Sequence, residues 1–232
     1  MTLTYAEIAK TIDHSLLNPA LCDADLEKGC ALARAYEVAT ICVLPYWVGR
    51  AAELLAGSGV LTTSTVGFPH GAQDCAIKLE ETRRLLRAGA VELDMVVNIS
   101  RVKSGDFASV GAEVRDILVL TRGVGAKLKV IFENCYLSDD EKVRLCEICG
   151  ELRVDWVKTS TGFGTSGSTP HDLALMRRHS PPEVQVKAAG GVRDLDTLLQ
   201  ARSLGATRVG SSATAQILDD FRARLASGAS LA

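Results

Sequence analysis

The chain changes its hydrophobic period eight times, each time from a short apolar run to a longer stretch with helical spacing. The runs are Thr11–Leu17, Val38–Leu44, Leu61–Val66, Val91–Asn98, Lys127–Phe132, Trp156–Ser160, Gln185–Ala189 and Arg208–Gly210. The stretches between them read as helices. They include one from Asp23, one over Tyr46–Ala56, one over Phe107–Arg122, one over Asp194–Leu204 and one over Ala213–Ala226. A further helix carries Leu79, Thr82, Leu86 and Gly89 on one stripe, with Lys78, Glu81, Arg83 and Arg84 expected to face water. Strands joined through helices pair in parallel, because a parallel neighbour needs a crossover. Eight such units within 232 residues close most economically into a (β/α)8 barrel. An open doubly wound sheet is the other arrangement the pattern allows. We expect one α/β domain over 1–232, with a short N-terminal helix capped by Thr4 and running to Lys10.

Local signals support these boundaries. Ser138 and Glu141 are spaced as a capping box, for a helix with Leu145, Ile148, Cys149 and Leu152 on its inner face. Thr169, Pro170 and Asp172 supply an N-cap, a first helical residue and a first-turn acid. Charge is balanced, 26 basic against 28 acidic residues, which argues against nucleic acid or an anionic membrane surface as a partner. No stretch has the length and apolarity of a membrane span, and a cytoplasmic location is expected. The 7 cysteines are scattered through apolar segments, as suits buried thiols in a reducing compartment. Cys146 and Cys149 form a C-x-x-C inside a helical pattern and are assigned to core packing. His14, His70, His171 and His179 show no H-x-x-H spacing, and no metal site is expected.

One strand ends in a lysine, Lys158, followed at once by Thr159-Ser160-Thr161-Gly162. Burying an ammonium costs several kcal/mol unless it is paired or loses its proton, and the free amine is a nucleophile toward carbonyls. Alternation along strands turns more charge the same way. Glu92, Asp94 and Asn98 share one face of the fourth strand, whereas Val91, Leu93, Met95 and Val97 should pack on helices. Lys127, Lys129 and Glu133 share a face of the fifth, and Lys158 and Lys187 take the inner faces of the sixth and seventh. Asp94, Lys129, Glu133, Lys158 and Lys187 would thus converge where barrels normally carry branched apolar side chains. A second ammonium near Lys158 lowers its pKa in the same direction as burial, and Asp94 can move protons. Gly190-Gly191 with Arg193, and Gly210-Ser211-Ser212 before the last helix, have the make-up of a phosphate site.

With these residues in view the chain resembles the 2-deoxyribose-5-phosphate aldolases, a class I, metal-free aldolase family. The segments that carry the likeness are Ile12–Leu17, Ile41-Cys42-Val43 with Pro45, Gly67–Gly71, Glu92–Val96, Lys129–Glu133, Val157–Phe163 and Val186–Arg193. The resemblance implies Lys158 as the Schiff-base lysine, Lys187 as the lysine that perturbs it, and Asp94 as an acid/base acting through water. It places Asp13 and Ser15 near the substrate hydroxyls, and Cys42, Lys129 and Thr161 are further candidate substrate-binding residues. It also places Gly162, Gly190, Gly191, Arg193, Gly210, Ser211 and Ser212 at or near the phosphate. The substrates implied are a sugar phosphate and acetaldehyde, with no cofactor, and a homodimer is common in the family.

Three departures stand out. Phe163 lies where some members carry a lysine, and Ala213 where a second serine is common. The chain ends in Ser230-Leu231-Ala232 with no tyrosine after Tyr136, so the proton step that a terminal tyrosine assists would fall to water or another group. Two other readings remain at this point: a non-catalytic sugar-phosphate-binding barrel, and a metal-free phosphate-binding lyase or isomerase that uses Lys158 only electrostatically.

Overall fold

A computed structural model describes residues 3–228. The expected closed barrel forms, since β1 (Ile12–Leu16) pairs in parallel both with β2 (Thr40–Val43) and with β8 (Ala206–Ser211). Between them β3 (Leu61–Val66), β4 (Glu92–Val96), β5 (Lys127–Ile131), β6 (Trp156–Lys158) and β7 (Gln185–Ala189) follow in chain order. An open sheet is excluded by the β1–β8 ladder, in which Asp13 lies opposite Gly210. The expected N-terminal helix is α1 (Tyr5–Ala9), held by a capping box between Thr4 and Glu7.

The outer ring comprises α2 (Asp23–Ala35), α3 (Val48–Leu55), α4 (Cys75–Arg87), α5 (Ile99–Lys103), α6 (Phe107–Gly123), α7 (Asp139–Leu152), α8 (Pro170–His179), α9 (Leu195–Ser203) and α10 (Thr214–Ser227). The Ser138–Glu141 capping box starts α7, and Thr169 with Pro170 starts α8, as the residues predict. Outward strand residues such as Leu93, Met95, Val130, Val157 and Val186 meet helix residues such as Val114, Leu145, Met176 and Leu198 in one continuous apolar core. Burial of that layer supplies most of the driving force for the fold.

Several boundaries move. Tyr46–Ala56 is not one helix: a 3-10 turn over Pro45–Trp47 precedes α3. Strand β6 ends at Lys158 rather than Ser160, and the short helix α5, capped by Asn98, was not expected. Val91 is exposed rather than packed on helices, because it precedes β4 at the lower rim.

The largest correction concerns α4, whose buried stripe runs through Lys78, Thr82 and Leu85. Lys78 was expected in water but is fully buried, its stem lying under the Gly67 turn, where a Cβ would come 2.6 Å from Lys78 Cε. Its Nζ donates to the Val96 carbonyl at 2.9 Å and pairs with Glu113 of α6 at 2.9 Å. Burial pushes the Lys78 ammonium down and the Glu113 carboxyl up, only partly offset by their attraction. Lys78→Ala is therefore expected to cost about 3–5 kcal/mol by leaving Glu113 buried without its partner. Replacing both members by apolar residues, Lys78→Met with Glu113→Leu, should recover most of the loss. A double variant no more stable than Lys78→Ala in denaturant titration would contradict this account.

Candidate active site

The C-terminal ends of β1, β6, β7 and β8 open into a pocket of about 560 Å³, a size suited to a small organic ligand. Ser15, Lys158, Thr161, Gly162, Gly190, Gly191, Arg193, Gly210, Ser211 and Ser212 all line it, as does Phe163. The end of β1, the loop after it and the first turn of α2 complete the wall with Leu16, Leu17, Asn18, Leu21 and Asp25, which sequence reasoning did not select because nothing in their spacing signals chemistry.

Backbone contacts shape this pocket. The loop after β6 crosses the Gly190 turn so closely that a Cβ on Gly167 would lie 2.1 Å from the Gly190 oxygen, and Gly190 itself has φ +78°. Glu133, placed by the sequence in the interior, has left-handed backbone instead and turns its carboxylate to the Thr161 amide at 3.1 Å and to the Thr161 hydroxyl. Thr161 Oγ1 in turn accepts from the Phe163 amide at 2.9 Å, which fixes Phe163 edge-on to Phe68 with ring centroids 5.4 Å apart. Ser211 reaches the wall, but its hydroxyl is committed: it donates to the Val192 carbonyl at 2.7 Å and accepts from the Ala213 amide at 3.0 Å. Ala213 is the N-cap of α10 and provides no side-chain acceptor, so the first-turn amides of that helix carry their partial positive charge uncapped.

Below the pocket the interior is charged. Lys158, Lys187 and Lys129, from neighbouring strands, all donate to Asp94: Lys158 and Lys187 to one oxygen at 2.7 Å each, Lys129 to the other at 2.9 Å. Lys187 also pairs with Asp13 at 2.5 Å, and Lys129 pairs with Glu92 at 2.5 Å. Cys42 sits buried among them. The expected convergence of Asp94, Lys129, Lys158 and Lys187 is therefore present, with Asp13 in contact with Lys187 and Lys129 and Cys42 nearby. Lys127 is not part of it; at the lower rim it is exposed, with Nζ 5.1 Å from the Trp156 ring centre.

Sequence reasoning missed Arg208, whose guanidinium pairs with Asp13 at 2.5 Å and Glu92 at 3.2 Å and lies 5.0 Å from the Trp156 ring centre. Arg208 stands opposite Lys187 in the β7–β8 ladder and so shares the inner face, a register that the three-residue run Arg208–Gly210 does not reveal.

The groups titrate apart. Burial pushes the Lys158 ammonium down and Lys187 adds to the effect, whereas Asp94 opposes it. For Lys187 burial acts the same way but is outweighed by Asp13 and Asp94, so its proton is held more tightly than usual. Burial alone would raise Asp94, yet Lys129, Lys158 and Lys187 hold it well below the ordinary carboxylate range. Burial, helped by the Asp94 charge, pushes the Cys42 thiol up to about 11. Within one cluster the geometry thus offers a weakly held amine proton, a persistent ammonium and a persistent carboxylate.

An amine-bearing pocket at the C-terminal mouth of a parallel barrel defines the class of barrel enzymes whose chemistry is carried on strand ends and loops. The model of the DeoC/LacD family aldolases matches residues 7–217. The chain belongs to that family of aldolases and is an enzyme of the carbon–carbon lyase class. It is 57% identical over 221 residues to a deoxyribose-phosphate aldolase of Rhodopirellula baltica, covering 95% of this chain and 92% of that one. To the deoxyribose-phosphate aldolase of Thermococcus gammatolerans it is 43% identical over 218 residues, 93% and 97% of the two chains. Among solved structures it resembles a deoxyribose phosphate aldolase from Aeropyrum pernix, described as tetrameric, with a TM-score of 0.87 and 30% identity over 94% of this chain and 92% of that one. No helix among the described residues is long and apolar enough to cross a membrane. The expectation about the terminal Ser230-Leu231-Ala232 lies outside the described residues.

Proposed function

We propose that this chain reversibly cleaves 2-deoxy-D-ribose 5-phosphate to acetaldehyde and D-glyceraldehyde 3-phosphate through a Schiff base on Lys158. The observation that carries the reading is the position of Lys158: it lines the pocket, and it is the lysine of the cluster whose proton is held less tightly than usual.

The free amine attacks the C1 aldehyde of the open-chain sugar, and loss of water leaves an iminium. When the C3 hydroxyl gives up its proton, the C2–C3 bond breaks and its electrons move into the enamine, releasing glyceraldehyde 3-phosphate. Protonation of the enamine at C2 and hydrolysis then free acetaldehyde and Lys158. The ionised Asp94 suits acceptance of a proton through water, and Lys187, persistently charged, suits its return. The uncapped start of α10, with Gly190, Gly191 and Arg193, suits the 5-phosphate.

Reduction with borohydride in the presence of acetaldehyde tests the proposal: mass spectrometry should find an ethyl group on the peptide containing Lys158. A folded chain that binds deoxyribose 5-phosphate without acquiring the adduct would overturn it.

Phe163 bears on selectivity. Where a cation could stand near the phosphate, 48% of this apolar side chain is exposed beside the pocket. The preference for deoxyribose 5-phosphate over deoxyribose, as a ratio of kcat/KM, should be smaller here than in lysine-bearing members. Phe163→Lys should raise that ratio about tenfold, the worth of one charged hydrogen bond; an unchanged ratio would count against the assignment.

A further inference from the structure

The interior contains seven groups of formal charge in direct contact: Asp13, Glu92 and Asp94 against Lys129, Lys158, Lys187 and Arg208. Their pairing is uneven. Lys187 bridges Asp13 and Asp94, and Arg208 bridges Asp13 and Glu92. Lys129 touches all three carboxylates, at 2.5 Å, 2.9 Å and 3.7 Å. Lys158 reaches Asp94 alone, on an oxygen that Lys187 already occupies. Three carboxylates are thus fully matched by three cations, and Lys158 is the one left over.

Among the other groups near Lys158, the Cys42 thiol is neutral, and the Glu133 carboxylate accepts from the Thr161 amide and hydroxyl and makes no ion pair with the cluster among the described residues. Asp25 and Arg193 line the pocket wall above, where water screens them. An uncompensated charge in a buried site is far more costly than a paired one.

We propose that Glu92 and Arg208, neither of which lines the pocket, are positioning residues that set the protonation of Lys158 by fixing the charge sum of the barrel interior, which balances only when Lys158 is the free amine. Arg208 anchors the chain of pairs from below, through Asp13 to Lys187 and through Glu92 to Lys129. The inference rests on the imine reading of Lys158.

The test is the pH at which imine formation with acetaldehyde reaches half its maximal rate, measured by quenching into borohydride. Imine formation needs the free amine, so the rate rises as pH passes the Lys158 pKa. Glu92→Gln removes an anion, makes the interior more positive, and should move the midpoint down by about one pH unit, the effect of a unit charge across several ångström of protein interior. Arg208→Met removes a cation and should move it up by about as much. Arg208→Lys keeps the charge while losing the fork geometry and should leave the midpoint near that of the parent. A purely structural role would lower rates without these opposite displacements.

Should Arg208→Met fail to fold, Glu92→Gln decides by its sign. Midpoints that stay put, or move together, overturn the inference while the adduct itself still forms. Absence of the adduct in the parent protein at every pH defeats the imine reading instead.

Discussion

Lys158→Leu is expected to abolish the borohydride-trapped adduct and to lower kcat/KM for cleavage of deoxyribose 5-phosphate by about 10⁴ or more, the scale on which loss of a covalent nucleophile is felt. Stability should not follow activity down. Leucine fills much of the space of the lysine stem, and the substitution removes the one basic group whose charge the three interior carboxylates do not need. Lys129 and Lys187 continue to satisfy Asp94. A folded, substrate-binding and inactive protein is the expected outcome, read from denaturant titration beside the assay. Retention of more than about a hundredth of the parent activity would mean that Lys158 is not the nucleophile.

Asp94→Asn should be costly in both respects. The carboxylate accepts from three lysines, so an amide there leaves a surplus of buried positive charge. Removing one partner of a buried ion pair costs about 3–5 kcal/mol, and loss of a positioned acid/base lowers turnover by about 10²–10⁴. The pH dependence separates the ionic contribution from simple loss of packing. The Asp94 carboxyl is held well below its ordinary value of 3.8, so its contribution is complete above that value and disappears as pH falls through the folded value. The stability gap between parent and variant should therefore be widest near neutral pH and narrow below pH 3.8. A gap of constant size from neutral pH down to pH 3 would show that charge on Asp94 does not stabilise the fold.

The barrel was legible because each strand announced itself by an apolar run and each helix by its spacing, and strand parity then turned Asp94, Lys129, Lys158 and Lys187 inward as found. Parity specifies a side of the sheet and not a height along it. Lys127 and Glu133 share the parity of Lys129, yet one lies at the lower rim and the other beyond the strand end, where left-handed backbone turns it aside. Arg208 escapes because the apolar run in the sequence spans only Arg208–Gly210, too short for parity to be applied, whereas the strand begins at Ala206. Lys78 escaped for a different reason: on α4 its charge outweighed its place on the stripe, and only the distant Glu113 and the Val96 carbonyl make that place tolerable. Partners 35 and 18 residues away leave no trace in local spacing.

The interior charges are also sorted along the chain. All three carboxylates, Asp13, Glu92 and Asp94, come from the first four strands, and all four basic groups, Lys129, Lys158, Lys187 and Arg208, from the last four. Each half-barrel is thus the counter-ion of the other. Two copies of either half, facing each other, would bring like charges together in a dry interior, so a duplicated half cannot substitute for its complement. Closure selects the one arrangement in which N-terminal acid meets C-terminal base, and the chemistry at the mouth exists only once that join is made.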